Sequence, residues 1–134
     1  MFCYCAASRR LSRLLTARYD AALSAVGLTA AQFETLSRLS ALGPSSGRVL
    51  AEQLALDKTT LSRNLKTLVG SGLVEAASGD DARSVVYALS NAGRKRLAKA
   101  MPLWRASHDA SLAMLDSQAV ASQRALERMN LSLR

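Results

Sequence analysis

The stretch that most restricts the fold is residues 54–75, LALDKTTLSRNLKTLVGSGLVE. Asp57 is a helix N-cap residue type, and Leu61, Leu65, Leu68 and Val69 follow it at three-and-four spacing, so a helix begins there and turns one apolar side inward. Gly70 and Gly72 end it. The other side is polar throughout: Lys58, Thr59, Thr60, Ser62, Arg63 and Lys66. A helix this short is unstable alone in water and needs neighbours along its leucine side.

The rest of the chain supplies them. From Ser8 to Val26, Leu11, Leu14, Leu15, Ala22, Leu23 and Val26 recur at helical spacing, with Arg9, Arg10, Arg13 and Arg18 mostly between them. Gly27 stops this first amphipathic helix. Thr29 with Gln32 forms a capping box that opens a second helix, whose buried face is Phe33, Leu36, Leu39 and Leu42. Gly43 to Gly47 reads as a turn. A short third helix from about Val49 to Leu54 and a three-residue turn lead into the helix at Asp57. Beyond Gly72, residues 73–77 and 83–89 are β-like, with Val85, Tyr87 and Leu89 sharing a face, and Ser78-Gly79-Asp80-Asp81-Ala82 are turn-formers, which predicts a two-stranded hairpin. Helical pattern returns from Asn91 to about Leu115, with a kink expected at Pro102, and again from Ser117 to Leu133. The expected fold is mainly α with a small β-hairpin wing.

At 134 residues the chain is about one domain long. Aromatic content of 4% leaves aliphatic side chains to fill the core. The formal charge of +8 draws polyanions, and nucleic acid is the leading candidate. A membrane partner is not expected, because there is no apolar run of about 18 residues and no signal-peptide core, and these point to a cytoplasmic location. Two cysteines two residues apart cannot build a secreted disulfide framework.

A helix-turn-helix whose second helix carries hydroxyls and long cations outward suits a DNA major groove. Arg63 is the first candidate for direct readout, since a guanidinium binds guanine bidentately. Arg83 and Ser84 at the hairpin tip are placed to meet the minor groove, with Asp81 two residues earlier able to hold the arginine. The bland alternatives are a solvated helix face and an arginine paired with Asp80 or Asp81. Arg94, Lys95, Arg96 and Lys99 read first as a solubilising face, the earliest of them near enough to the wing base to touch phosphates.

AEQLALDKTTLSRNLKTLVGSGLVE, followed by DDARSVVYALSNAGRKRL, resembles the MarR family of bacterial winged-helix regulators. The resemblance covers nearly the whole chain and includes GLTAAQFETL, the Asp81-Ala82-Arg83 wing element and the LSNAG step into the fifth helix. It implies a winged helix-turn-helix lobe at residues 29–93 and a helical dimerisation region at residues 1–28 and 94–134. The implied molecule is an obligate homodimer that sets two lobes on a pseudo-palindromic double-stranded DNA operator. The apolar stripes of the terminal segments agree, since they exceed what one small lobe can cover. Two recognition helices would then read half-sites about 34 Å apart.

The resemblance also implies an effector pocket between dimerisation helices and lobe, for which Tyr19, Phe33, Trp104 and His108 are the candidates; core packing explains the same residues without a ligand. Cys3-Tyr4-Cys5 precedes the first helix, where some regulators of this kind carry an oxidant-sensing thiol, and the nearby Arg9 and Arg10 suit peroxide or disulfide chemistry. The tyrosines that flank the thiol in the organic-peroxide branch are missing from Ala30-Ala31-Gln32-Phe33. Cys3 and Cys5 of two chains could instead offer four thiolates to a soft metal ion. No metal site is expected within one chain and no cofactor is implied, because a lone histidine cannot complete a zinc site. An enzyme is not expected either, as no base or carboxylate constellation accompanies the thiols.

The expectation is a DNA-binding regulator, a repressor released by a small molecule or by thiol oxidation. The alternative is a winged-helix protein-interaction module, which a steep salt dependence of binding would exclude.

Overall fold

Leucines from α-helices close the centre of the molecule. Leu23, Leu36, Leu39, Leu50 and Leu68 are each at most 2% exposed, as expected of a core built almost without aromatic rings. The computed structural model describes residues 1–81 and 83–134; Ala82, the middle residue of the wing element, lies outside the described residues. The elements run α1 (Tyr4–Leu23), α2 (Ala30–Leu42), β1 (Ser45–Ser46), α3 (Gly47–Leu54), α4 (Lys58–Gly70), β2 (Val74–Ser78), β3 (Val85–Leu89), α5 (Asn91–Ala113) and α6 (Ala119–Ser132), with single 3₁₀ turns at Ser24–Val26 and Asp116–Gln118. The fold is mainly helical with a small antiparallel sheet, as the sequence predicts.

Local chemistry explains most boundaries. The Thr29–Gln32 capping box is complete: Gln32 N donates to Thr29 Oγ1 at 3.1 Å and Thr29 N donates to Gln32 Oε1 at 3.0 Å. Ala30 N also donates to Asp20 Oδ1 at 2.6 Å, which fastens the start of α2 to α1. Gly27, at φ 68°, adopts the left-handed conformation that the turn between these helices requires.

The sheet has strand order β1-β3-β2, both pairs antiparallel, with Val74 opposite Leu89 and Ser78 opposite Val85. Its third strand corrects the reading of residues 43–47 as a turn alone. Ser45 and Ser46 pair with Tyr87 and Val86, a distant partnership that gives two serines a strand conformation their own propensity does not favour. Of the three residues expected on one hairpin face, Leu89 is buried and Tyr87 half-buried, whereas Val85 near the tip is 43% exposed. Val69, expected inward on α4, lies at the margin of its buried side and is exposed.

One helix departs from expectation. α1 begins at Tyr4, four residues before the predicted start, because Cys5, Ala6 and Ala7 continue the helix and Ala7 N already donates to the Cys3 carbonyl at 3.0 Å. α5 runs unbroken through Pro102. The carbonyl that loses its partner there belongs to Ala98, which is exposed, so water can satisfy it.

A close approach fixes the wing to α5. Ser90 caps α5 by accepting from Gly93 N at 2.9 Å while its hydroxyl donates to the Gly72 carbonyl at 2.6 Å. A Cβ on Gly93 would collide with the Leu73 carbonyl, so this position admits no side chain without displacing backbone.

Candidate nucleic-acid interface

α4 presents two chemically distinct sides. Leu61, Leu65 and Leu68 are buried, while Lys58, Thr59, Thr60, Ser62, Arg63 and Lys66 are all exposed. The helix contains three cations and no acidic residue. Asp57 initiates it: its carboxylate accepts from Thr60 N at 2.8 Å and from the Thr60 hydroxyl at 2.8 Å. These hydrogen bonds, the backbone one foremost, hold the Asp57 carboxyl below its ordinary value of 3.8. Thr60 therefore serves the cap with its donor and retains only acceptor capacity outward. Arg63 is not committed to a carboxylate, since the one ion pair among the described residues joins Arg48 to Glu52 at 3.2 Å.

The wing is organised by Asp81, by a route different from the one expected. Its Oδ1 accepts from the Arg83 backbone N–H at 3.2 Å, and its carbonyl accepts from Ser84 N at 2.9 Å and Ser84 Oγ at 2.8 Å. Asp81 thus shapes the loop backbone, whereas the Arg83 side chain is exposed. Ser84 bonds inside the tip. A Cβ at Gly79 would meet the Ser84 hydroxyl, which would have to turn away from Asp81.

The cluster on α5 divides. Arg94 donates to the Leu89 carbonyl at 3.2 Å and to Asn91 Oδ1 at 2.8 Å, and Arg96 donates to the Val26 carbonyl at 3.0 Å. Two of its four cations therefore brace the fold, a role no local spacing announces. Lys95 and Lys99 remain exposed.

Between α1, α2 and α5 lies a cleft of about 860 Å³ whose walls include Tyr19, Phe33, Met101 and Trp104, with Leu126 of α6 at its edge. The Trp104 ring stacks against Phe33 (centroids 5.7 Å apart), Tyr19 (6.4 Å) and His108 (4.8 Å). Tyr19 Oη lies 3.3 Å from His108 Nδ1. Burial, with a smaller contribution from Asp109, pushes the Tyr19 phenol above 10.0, so it is neutral at physiological pH. The four residues singled out in the sequence are thus one aromatic stack; three of them line the cleft, and His108 packs behind Trp104. Sequence reasoning missed Ser37, whose buried Oγ in the cleft wall has no hydrogen-bond partner among the described residues.

This arrangement has counterparts among solved structures. The MarR family model matches residues 26–84. The Mycobacterium tuberculosis transcriptional regulator MosR, solved in complex with DNA, is 35% identical over 99% of this chain and 99% of its own, with a TM-score of 0.85. The chain belongs to the MarR family. A mutant Escherichia coli MarR complexed with operator DNA is 25% identical over 92% of this chain and 89% of its own, with a TM-score of 0.82. The Staphylococcus aureus MepR–DNA complex, at 20% identity, covers all of both chains with a TM-score of 0.84 and attests the fold. A search of curated proteins found no match.

In this MarR-family chain the cysteines sit at the very start of α1. Cys3 is the residue before the helix and Cys5 lies in its first turn, which corrects the placement of the whole CYC segment ahead of the helix. Both are exposed free thiols, and the Arg9 guanidinium donates to Cys5 Sγ at 3.3 Å. Among the described residues no group of three or more His, Cys, Asp or Glu is gathered as metal ligands, and no helix is long and apolar enough to cross a membrane.

Proposed function

We propose that the protein is a homodimeric, DNA-binding transcriptional repressor released by thiol oxidation or by a small molecule. The observation that carries this reading is the acid-free outer side of α4, with Lys58, Thr59, Thr60, Ser62, Arg63 and Lys66 exposed beside a wing whose tip offers Arg83. α4 enters the major groove, where Arg63 reads a guanine, and Arg83 meets the minor groove alongside. Ser84 supports that contact by holding the tip in shape.

In this reading residues 29–93 form the DNA-binding lobe and residues 1–28 and 94–134 the dimerisation segments. The exposed Leu11, Leu14, Leu126, Leu131 and Leu133 support a second copy as the cover for the terminal helices. DNA as partner makes the cytoplasm the place of action. The DNA complexes of MosR and of mutant MarR agree with the same partner class.

Release needs a shift in the spacing of the two lobes, for which a coupling of about 1–3 kcal/mol is enough. The Cys3 and Cys5 thiols at the root of α1, with Arg9 on Cys5, favour oxidation as the trigger. The aromatic cleft favours a flat, largely apolar small molecule. A gel-shift titration with DNA from upstream of the protein's own coding region separates them. Release of wild type by hydroperoxide, but not of Cys3→Ser and Cys5→Ser, supports the thiol trigger; binding indifferent to oxidant rejects it and leaves the cleft. Absence of any binding, or binding that ignores salt, contradicts the DNA reading itself.

A further inference from the structure

One polar residue of α4 belongs to neither of its two sides. Asn64 follows Arg63 and is half-buried. Its Nδ2 donates to Thr35 Oγ1 at 2.7 Å and to the Ala31 carbonyl at 3.3 Å. Thr35, 1% exposed on α2, passes the chain on by donating its own hydroxyl to the Ala31 carbonyl at 3.0 Å. Two helices that otherwise meet through leucines are thereby joined by a directional contact spanning 29 residues of sequence.

Direction matters here. Burial of Leu61, Leu65 and Leu68 holds α4 against the core, but apolar burial has no preferred angle of its own and resists small rotations only through packing. A hydrogen bond weakens steeply as its geometry departs from linear, so the Asn64–Thr35 contact selects one rotation. The consequence reaches the outer side directly. A roll of roughly 10° moves atoms at a helix's outer radius of about 6 Å by about 1 Å, enough to spoil a bidentate arginine–guanine pair.

We propose that Asn64, through Thr35, is a positioning residue that sets the roll of the recognition helix and so determines sequence discrimination without touching a base. The inference rests on the DNA reading above. It predicts that loss of the tie lowers specificity while leaving sequence-independent attraction to phosphates intact, since Lys58, Arg63 and Lys66 keep their charges.

The test uses the full-length chain and two probes: a duplex enriched by the wild type from a randomised double-stranded library, and a scrambled duplex of equal length. Asn64→Leu and Thr35→Val should each lower the ratio of enriched to scrambled affinity roughly tenfold. Affinity for the scrambled duplex and the salt slope should stay as in wild type. The double variant should lose no more than either single one, because one tie is being broken. Thr35→Ser, which keeps the hydroxyl, should restore discrimination. Cooperative melting of each variant confirms folding, and Asn64→Ala replaces Asn64→Leu if the latter does not fold. Loss of preference at a single base in Asn64→Leu, with Thr35→Val like wild type, makes Asn64 a base reader and overturns the proposal. Unchanged ratios in both variants overturn it equally, as does additive loss in the double variant. A wild type that enriches no duplex removes the DNA reading, and the inference with it, an outcome distinct from every variant result.

Discussion

The lobe from α2 to β3 and the helices that flank it follow different rules. Within the lobe, the apolar faces of α2, α3 and α4 close on one another, and Leu36, Leu50 and Leu68 retain no measurable exposure. α6, by contrast, contributes no buried residue at all, and Leu14, Val120, Leu126 and Leu131 lie open at 51–69% exposure. Leu23 of α1 and Leu97 and Ala100 of α5 complete that core, so the difference lies in the outward apolar faces of the flanking helices. The flanking helices carry apolar surface that a single chain leaves uncovered, and solvated patches of that kind mark an interface.

The largest effect that separates the two regions comes from truncating the lobe's centre. Leu36→Ala should cost about 2–5 kcal/mol in denaturant unfolding, as expected for a fully buried leucine in a tight core. Gly93→Ala should follow at about 1–3 kcal/mol, because the added methyl meets the Leu73 carbonyl. The same truncation at Leu14 should change unfolding little at concentrations where the chain is monomeric. Leu14→Asp should instead shift sedimentation from dimer to monomer, weakening association by about 2 kcal/mol or more; an unaltered dimer would remove α1 from the interface.

Smaller effects probe the DNA side. Arg63→Ala should cost about 1–3 kcal/mol of discrimination at the base it reads, whereas Arg83→Ala should weaken binding to all sequences. Equal loss on every duplex from Arg63→Ala would assign it to phosphate instead. The smallest effect concerns Asp57. Its carboxyl is held below 3.8 in the folded chain, so its stabilising contribution is present at neutral pH and is lost as pH falls through the depressed value. Thermal melts taken down through that range should show a modest acid-dependent loss that Asp57→Asn lacks, since Asn caps without titrating.

What was legible in the sequence was chemistry settled within a turn or two. The Thr29–Gln32 box, the Asp57 cap and the leucine spacing of α4 are local signals, and each has its expected structural form. What escaped depends on distant partners. Ser45 and Ser46 become a strand only because β3 lies alongside, and Arg96 reaches a carbonyl 70 residues away. The Asn64–Thr35 contact joins helices whose spacing in sequence says nothing of their contact in space.

In the proposed complex two copies of α4 read one DNA molecule in fixed register. Affinity for a duplex with two inverted half-sites one helical turn apart should be compared with affinity for the same duplex carrying about five extra base pairs between them, which turn one half-site to the opposite face. If the lobes act as a rigid pair, the insertion reduces affinity to that for scrambled DNA. Equal affinity for both duplexes would contradict the fixed register, because each lobe would then be binding independently of the other.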